Sequence, residues 1–182
     1  MSVPNEHKDK APKTINLALV VVSTSRFIEM KSKIKTSDKT IPKIKKLLNG
    51  NLIISLEYTE IIPDSEIHIN KTLTKLMKNE KVDSIIFSGG TGLSSKDITY
   101  ETIEPRLEKK FDGFGELFRH LSYNEIGTSA MLSRATAGIL KKKNQKKVIF
   151  LLPGSPNAVE LALEHIIIPE LGHILYLINK KE

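Results

Sequence analysis

The chain has 182 residues, 40% of them hydrophobic and 27% charged, a balance that suits one globular domain with a single core. It contains no cysteine, which excludes disulfides, thiolate metal sites and thiol nucleophiles and makes the cytoplasm the expected compartment. The formal net charge is +7; the lysines stand among few aromatics, so they read as solvated surface and not as a nucleic-acid site.

The opening MSVPNEHKDKAPK is polar, and residues 1–13 read as a disordered tail ahead of a single domain over 14–182. No apolar run approaches the about 20 residues that a membrane span requires, and the start lacks a signal-peptide core. Ile15–Ser23 is nearly all apolar, as expected of a strand buried on both faces of a parallel sheet. A lysine-rich loop is expected next. Ser37 or Asp38 can then cap a helix with Ile41, Ile44, Leu47 and Leu48 on one face, tolerating Pro42 in its first turn and ending at Gly50.

Leu52–Leu56 reads as a second strand. Asp64 stands where the N-cap of a helix carrying Ile69, Leu73, Leu76 and Met77 belongs. Val82–Phe87 is a third strand and runs straight into Ser88–Gly92. Strand, helix, strand, helix, strand argues for same-handed crossovers and a mostly parallel sheet between helical layers. Thr99 can cap a helix with Ile103 and Leu107, and a Gly113–Phe114–Gly115 turn leads into another with Leu117, Phe118 and Leu121. Arg134–Leu140 and Lys147–Leu152 flank a polar turn and should pair. A final helix over Asn157–Ile178 should break at Pro169–Gly172.

The sharpest chemical signal is Ser88-Gly89-Gly90-Thr91-Gly92 after a buried strand. In open α/β sheets ligands bind beyond the carboxyl ends of the strands, and glycines there let backbone amides approach an anion. The loop is neither GxxxxGK[ST] nor GxGxxG. Asp64 and Asp97 fall on the same rim, and two aspartates beside a phosphate loop are a means of holding Mg²⁺. Pro153-Gly154-Ser155 again follows a strand and opens a helix, which suits an anion. The five histidines are scattered without HxxxH spacing, so no histidine metal site is expected.

Together these pieces resemble the MoaB/MogA family of molybdenum-cofactor biosynthesis proteins, which also occur as domains of gephyrin and plant homologues. The matching stretches are VVSTSR (21–26), IIPD (61–64), SGGTGLSSKDIT (88–99), Glu101, FDGFGELFRHLS (111–122), EIGTSAMLSRATAG (125–138) and LPGSPNAVE (152–160). FGELFRHLSYNEIGT looks more like the MoaB branch. The resemblance implies a three-layer α/β/α sandwich, a molybdopterin-binding domain assembled as a trimer or hexamer, and transfer of AMP from Mg·ATP to molybdopterin.

The same resemblance assigns catalysis to Asp64 and Asp97, with Mg²⁺ on both. It places Ser88, Gly89, Gly90, Thr91, Gly92, Glu101, Ser122, Ser133, Pro153, Gly154 and Ser155 among the substrate-binding residues. A molybdate-inserting enzyme would be a partner. The alternatives are a catalytically silent pterin-binding scaffold and a molybdate-inserting role. The chain departs from the family's common pattern in places: Lys96 replaces an arginine, Tyr100 a helix-starting proline and Thr24 an aspartate, and Lys35–Thr36–Ser37–Asp38 stands where many members read Asp-x-Ser-Gly.

Overall fold

The computed structural model describes residues 12–180; of the polar tail read over 1–13, residues 1–11 lie outside the described residues. Six strands form one sheet in the order β2-β1-β3-β6-β5-β4. They are β1 (Ile15–Val22), β2 (Ile54–Ile62), β3 (Ser84–Ser88), β4 (Lys109–Lys110), β5 (Thr136–Lys142) and β6 (Gln145–Leu152). β2, β1, β3 and β6 are mutually parallel, and β5 and β4 complete the sheet antiparallel to their neighbours. The sheet is therefore mixed and mostly parallel.

Alternation along the central strands divides the core in two. On one face Leu17, Leu19, Ile86, Val148 and Phe150 pack against α2 (Thr40–Leu48), α5 (Asp112–Ile126) and the C-terminal helix. On the other face Ala18, Val20, Ile85, Phe87 and Ile149 pack against α3 (Glu66–Lys78) and α4 (Thr99–Ile103). The crossover from β1 to β2 runs one way along the sheet, and that from β2 to β3 runs back past β1. Crossovers of one hand running in opposite directions place their helices on opposite faces. Three layers follow.

Several elements differ from the sequence reading. The residues after β1 form α1 (Thr24–Lys31), which has no buried residue and so no apolar stripe to announce it. β2 begins later than expected and runs longer: Leu52 is 93% exposed, and after a bulge at Glu57 the pairing with β1 carries on through Tyr58–Glu60 to Ile62. As an edge strand it presents polar residues to solvent on one side. Gly113 and Gly115 lie inside α5 and not in a turn ahead of it.

The C-terminal helix does not break at Pro169–Gly172. α6 (Pro156–Ala162) and α7 (Ile168–Asn179) are joined by a π-helical turn over Leu163–Ile167. That widened turn lies just before Pro169, where an ordinary α-helix would need the missing N–H and would clash with the preceding carbonyl. The continuous helix, Pro156–Asn179, is long and apolar enough to cross a bilayer by length and composition, contrary to the expectation from runs alone. Its Val159, Ala162, Leu163, Ile167, Leu171 and Leu175 are used in the core.

Candidate functional site

The parallel register ends in step. Val21 is opposite Ser88, Ser88 is opposite Leu152, and Val22 is opposite Ile62. The segments that follow, 23–25, 63–65, 89–92 and 153–155, therefore share one rim. The chain leaves β1 toward β2 on one side and leaves β3 toward β4–β6 on the other, which makes the β1–β3 boundary the switch point where α/β sheets bind ligands.

The glycine loop is held from behind. Gly89 donates to Leu152 O at 3.0 Å and Ser88 Oγ to Pro153 O at 3.1 Å, which stitches it to the 153–155 segment. Gly89 and Gly90 have φ of +110° and +65°, and a side chain at Gly89 would collide with the Val22 carbonyl. The carbonyls of three consecutive residues are taken: Gly90 O by Thr99 N–H at 2.8 Å, Thr91 O by Arg134 Nε at 3.0 Å, and Gly92 O by an Arg134 terminal nitrogen at 2.6 Å. The N–H groups of Gly90, Thr91, Gly92 and Leu93 have no hydrogen-bond partner among the described residues. A loop with its carbonyls satisfied and its amides open is built for an anion.

The two aspartates flank this loop. Asp64 is not the cap of α3, whose N-cap residue is Ser65. One Asp64 oxygen instead accepts Thr24 N–H at 2.8 Å and Thr24 Oγ–H at 2.9 Å, and Thr24 Oγ accepts Asp64 N–H at 3.0 Å. The reciprocal bond needs a hydroxyl, which Thr24 supplies. The other Asp64 oxygen faces Gly90: a methyl group there would stand 3.3 Å from it and collide with Thr99 Oγ. Asp97 accepts Ser94 N–H at 3.1 Å, and its carboxylate crowds Gly92, where a methyl group would lie 2.7 Å away.

Thr99 Oγ is buried without a partner among the described residues. Thr99 is the first residue of α4 and makes no cap bond, so its hydroxyl is an unsatisfied polar group beside the loop and Asp64. Two carboxylates with open oxygens near a phosphate loop fit Mg²⁺, which takes few protein ligands and completes its shell from phosphate and water.

Two clefts open here. One, of about 480 Å³, is lined by Ser23, Thr24, Asp64, Ser95, Lys96 and Ile98. The other, of about 440 Å³, contains Ser133, Arg134, Arg119, Lys110 and Tyr100. Lys96 keeps a positive charge at the first. Ser133 belongs to the second, where its Oγ accepts Ala135 N–H at 3.3 Å. Arg134 lines the second cleft and reaches the glycine loop through its bonds to Thr91 O and Gly92 O.

Glu101 is not an open ligand: it is bonded to Arg134 through both oxygens, and that guanidinium holds its carboxyl below the ordinary carboxylate range. Ser122 is buried on α5 and lines neither cleft. Reading by residue type missed Arg134 and the unpaired Thr99. Arginine is scarce in this chain, only Arg26, Arg106, Arg119 and Arg134, and that scarcity was the available signal.

The family described as "Probable molybdopterin binding domain" matches residues 18–173. Over 176 residues, 96% of each chain, the sequence is 40% identical to molybdenum cofactor biosynthesis protein B of Halalkalibacterium halodurans. Over the full length of both chains it is 39% identical to the protein of the same name from Bacillus cereus. The chain belongs to the MoaB/MogA family. Its fold is that of the family: the tungsten cofactor synthesizing protein MoaB of Pyrococcus furiosus superposes with a TM-score of 0.80 at 37% identity, covering 93% of this chain and 100% of that one. Membership places the chain in molybdenum-cofactor biosynthesis.

Proposed function

We propose that this MoaB/MogA member transfers AMP from ATP to the terminal phosphate of molybdopterin. A molybdopterin phosphate oxygen attacks the α-phosphorus of ATP, the bond from that phosphorus to the bridging β-phosphate oxygen breaks, and pyrophosphate leaves. The observation that carries the reading is the glycine loop with four open amides between two carboxylates.

The reaction joins two anions, so the protein has mainly to place them and offset their charge. The open amides of 90–93 and Lys96 supply positive potential at the loop, and Ser133 with Arg119 and Lys110 does so in the second cleft. Asp64 and Asp97 would hold Mg²⁺, which when bound neutralises phosphate charge and orients the triphosphate. No protein nucleophile is required, in keeping with a chain that has no cysteine.

The test is purified protein with molybdopterin, ATP and Mg²⁺. Pyrophosphate and an adenylylated pterin should form together, each dependent on both substrates. Bound pterin with intact ATP would overturn the catalytic reading and leave a pterin-binding scaffold.

A further inference from the structure

We infer that Arg134 is a positioning residue: it fixes the peptide orientation of the glycine loop and thereby keeps the loop's amides available to a phosphate. This rests on the loop being the anion site of the proposed reaction. Glycine-rich backbone readily flips its peptides, and a flip at 91 or 92 would turn a carbonyl toward the anion. Nothing within the loop prevents it. Gly90 O is held by the α4 backbone, but among the described residues Thr91 O and Gly92 O are held only by the Arg134 guanidinium, which reaches both at once.

The guanidinium is in turn fixed on its remaining sides. Glu101 accepts from both terminal nitrogens, and the Tyr100 ring lies 4.8 Å from the guanidinium carbon. Glu101 and Tyr100 sit on α4, whose first residue, Thr99, also holds Gly90 O. Arg134 thus ties the loop, α4 and the start of β5 into one unit. It follows Ser133 directly, and both line the second cleft. Only a planar fork meets these acceptors together. A lysine ammonium on a flexible stem reaches one or two of them.

The test uses the full chain with Arg134→Gln, Arg134→Lys and Glu101→Gln. Thermal midpoint is measured beside calorimetric binding of ATP and of molybdopterin, each alone. Arg134→Gln should weaken at least one ligand ten-fold or more, and the arm that responds identifies whose phosphate lies on the loop. Arg134→Lys should fail to restore it, and Glu101→Gln should weaken it only a few-fold, since an amide oxygen still accepts from the guanidinium. In Arg134→Gln, amide ¹⁵N shifts at 90–93 should change while those of β1 and β6 stay in place.

Wild-type binding of both ligands in Arg134→Gln, or full rescue by lysine, would overturn the assignment. So would loss of binding in step with a general collapse of the midpoint, which would mark a structural role only. Because the readout is binding, a chain inactive in adenylyl transfer would still report on Arg134.

Discussion

Asp64 shows how one carboxylate can serve structure and chemistry through different oxygens. The oxygen facing Thr24 ties the ends of β1 and β2 together, and the one facing Gly90 is open toward the cleft. Asp64→Asn can keep an oxygen on Thr24 while losing the anionic charge. It should therefore lower turnover by orders of magnitude and leave the thermal midpoint within a few degrees. Asp97→Asn should act likewise, with molybdopterin binding retained in both. Wild-type turnover in either would sink the catalytic assignment, and an unfolded Asp64→Asn would return that residue to a purely structural role. Asp38 is the contrasting case. Its buried carboxylate accepts Thr40 N–H at 3.2 Å and Ile41 N–H at 2.9 Å and pairs with Arg26 at 3.4 Å. From the position before the N-cap residue Lys39, it satisfies the first two amides of α2. Asp38→Gly should cost about 2 kcal/mol from the lost charged hydrogen bonds, visible as a lower midpoint with turnover within a few-fold at a temperature where the variant is folded. Gly90→Val should do the reverse, abolishing ligand binding because its side chain collides with Thr99 and crowds Asp64. Equal losses of function in the two would mean that the pocket is misplaced.

At the scale of elements, the β5–β6 hairpin has a strained corner. Lys142 pairs with Gln145, leaving Lys143 and Asn144 as the loop, and Lys143 has φ of +56°. Hairpin turns of this kind favour glycine at a positive-φ position, because a side chain there costs roughly 1 kcal/mol. Lys143→Gly should raise the thermal midpoint by a few degrees without changing ligand binding; a fall would mean that the lysine side chain contributes more than its backbone costs. This hairpin was legible in the sequence, as were β1 and β3, because apolar runs such as LALVVV and SIIF declare strands buried on both faces. α1 was not legible, since TSRFIEMK buries nothing. The start of β2 was misplaced because the apolar Leu52 and Ile53 outweigh the half-polar strand that follows, and edge strands mix the two kinds of residue. Pro169 signals a break in any pattern reading; only the π turn before it removes the conflict. The site shows the same division. The rim, the glycine loop and both aspartates follow from local pattern, whereas the Thr24–Asp64 and Arg134–Thr91 bonds join residues 40 and 43 apart in sequence. No spacing rule reaches that far.

On the whole molecule, large apolar residues collect where α5 ends. Tyr123 and Ile126 in its last turn are each 57% exposed, and Met131 and Leu132 in the following 3₁₀ segment, Gly127–Leu132, are 77% and 53% exposed. They lie within ten residues of one another, at the end of a helix whose other side is built into the core. Single exposed apolar residues are ordinary, but four close together in sequence make this a candidate surface for contact with another copy of the chain. The family resemblance implies threefold symmetry, and closed rotational assembly is the common way for identical chains to bury such a surface. The protein should therefore sediment as a trimer or hexamer at micromolar concentration. Met131→Glu combined with Leu132→Glu should dissociate it, because two added charges per chain would be brought into an apolar contact around the axis. Circular dichroism should remain that of the folded chain, since both side chains project from a surface turn. The wild type sedimenting as a monomer would sink the oligomer. An intact oligomer in the double variant would place the interface elsewhere, and the apolar trough between α5 and α7, lined by Phe111, Leu117, Ile174 and Leu177, would be the next surface to charge.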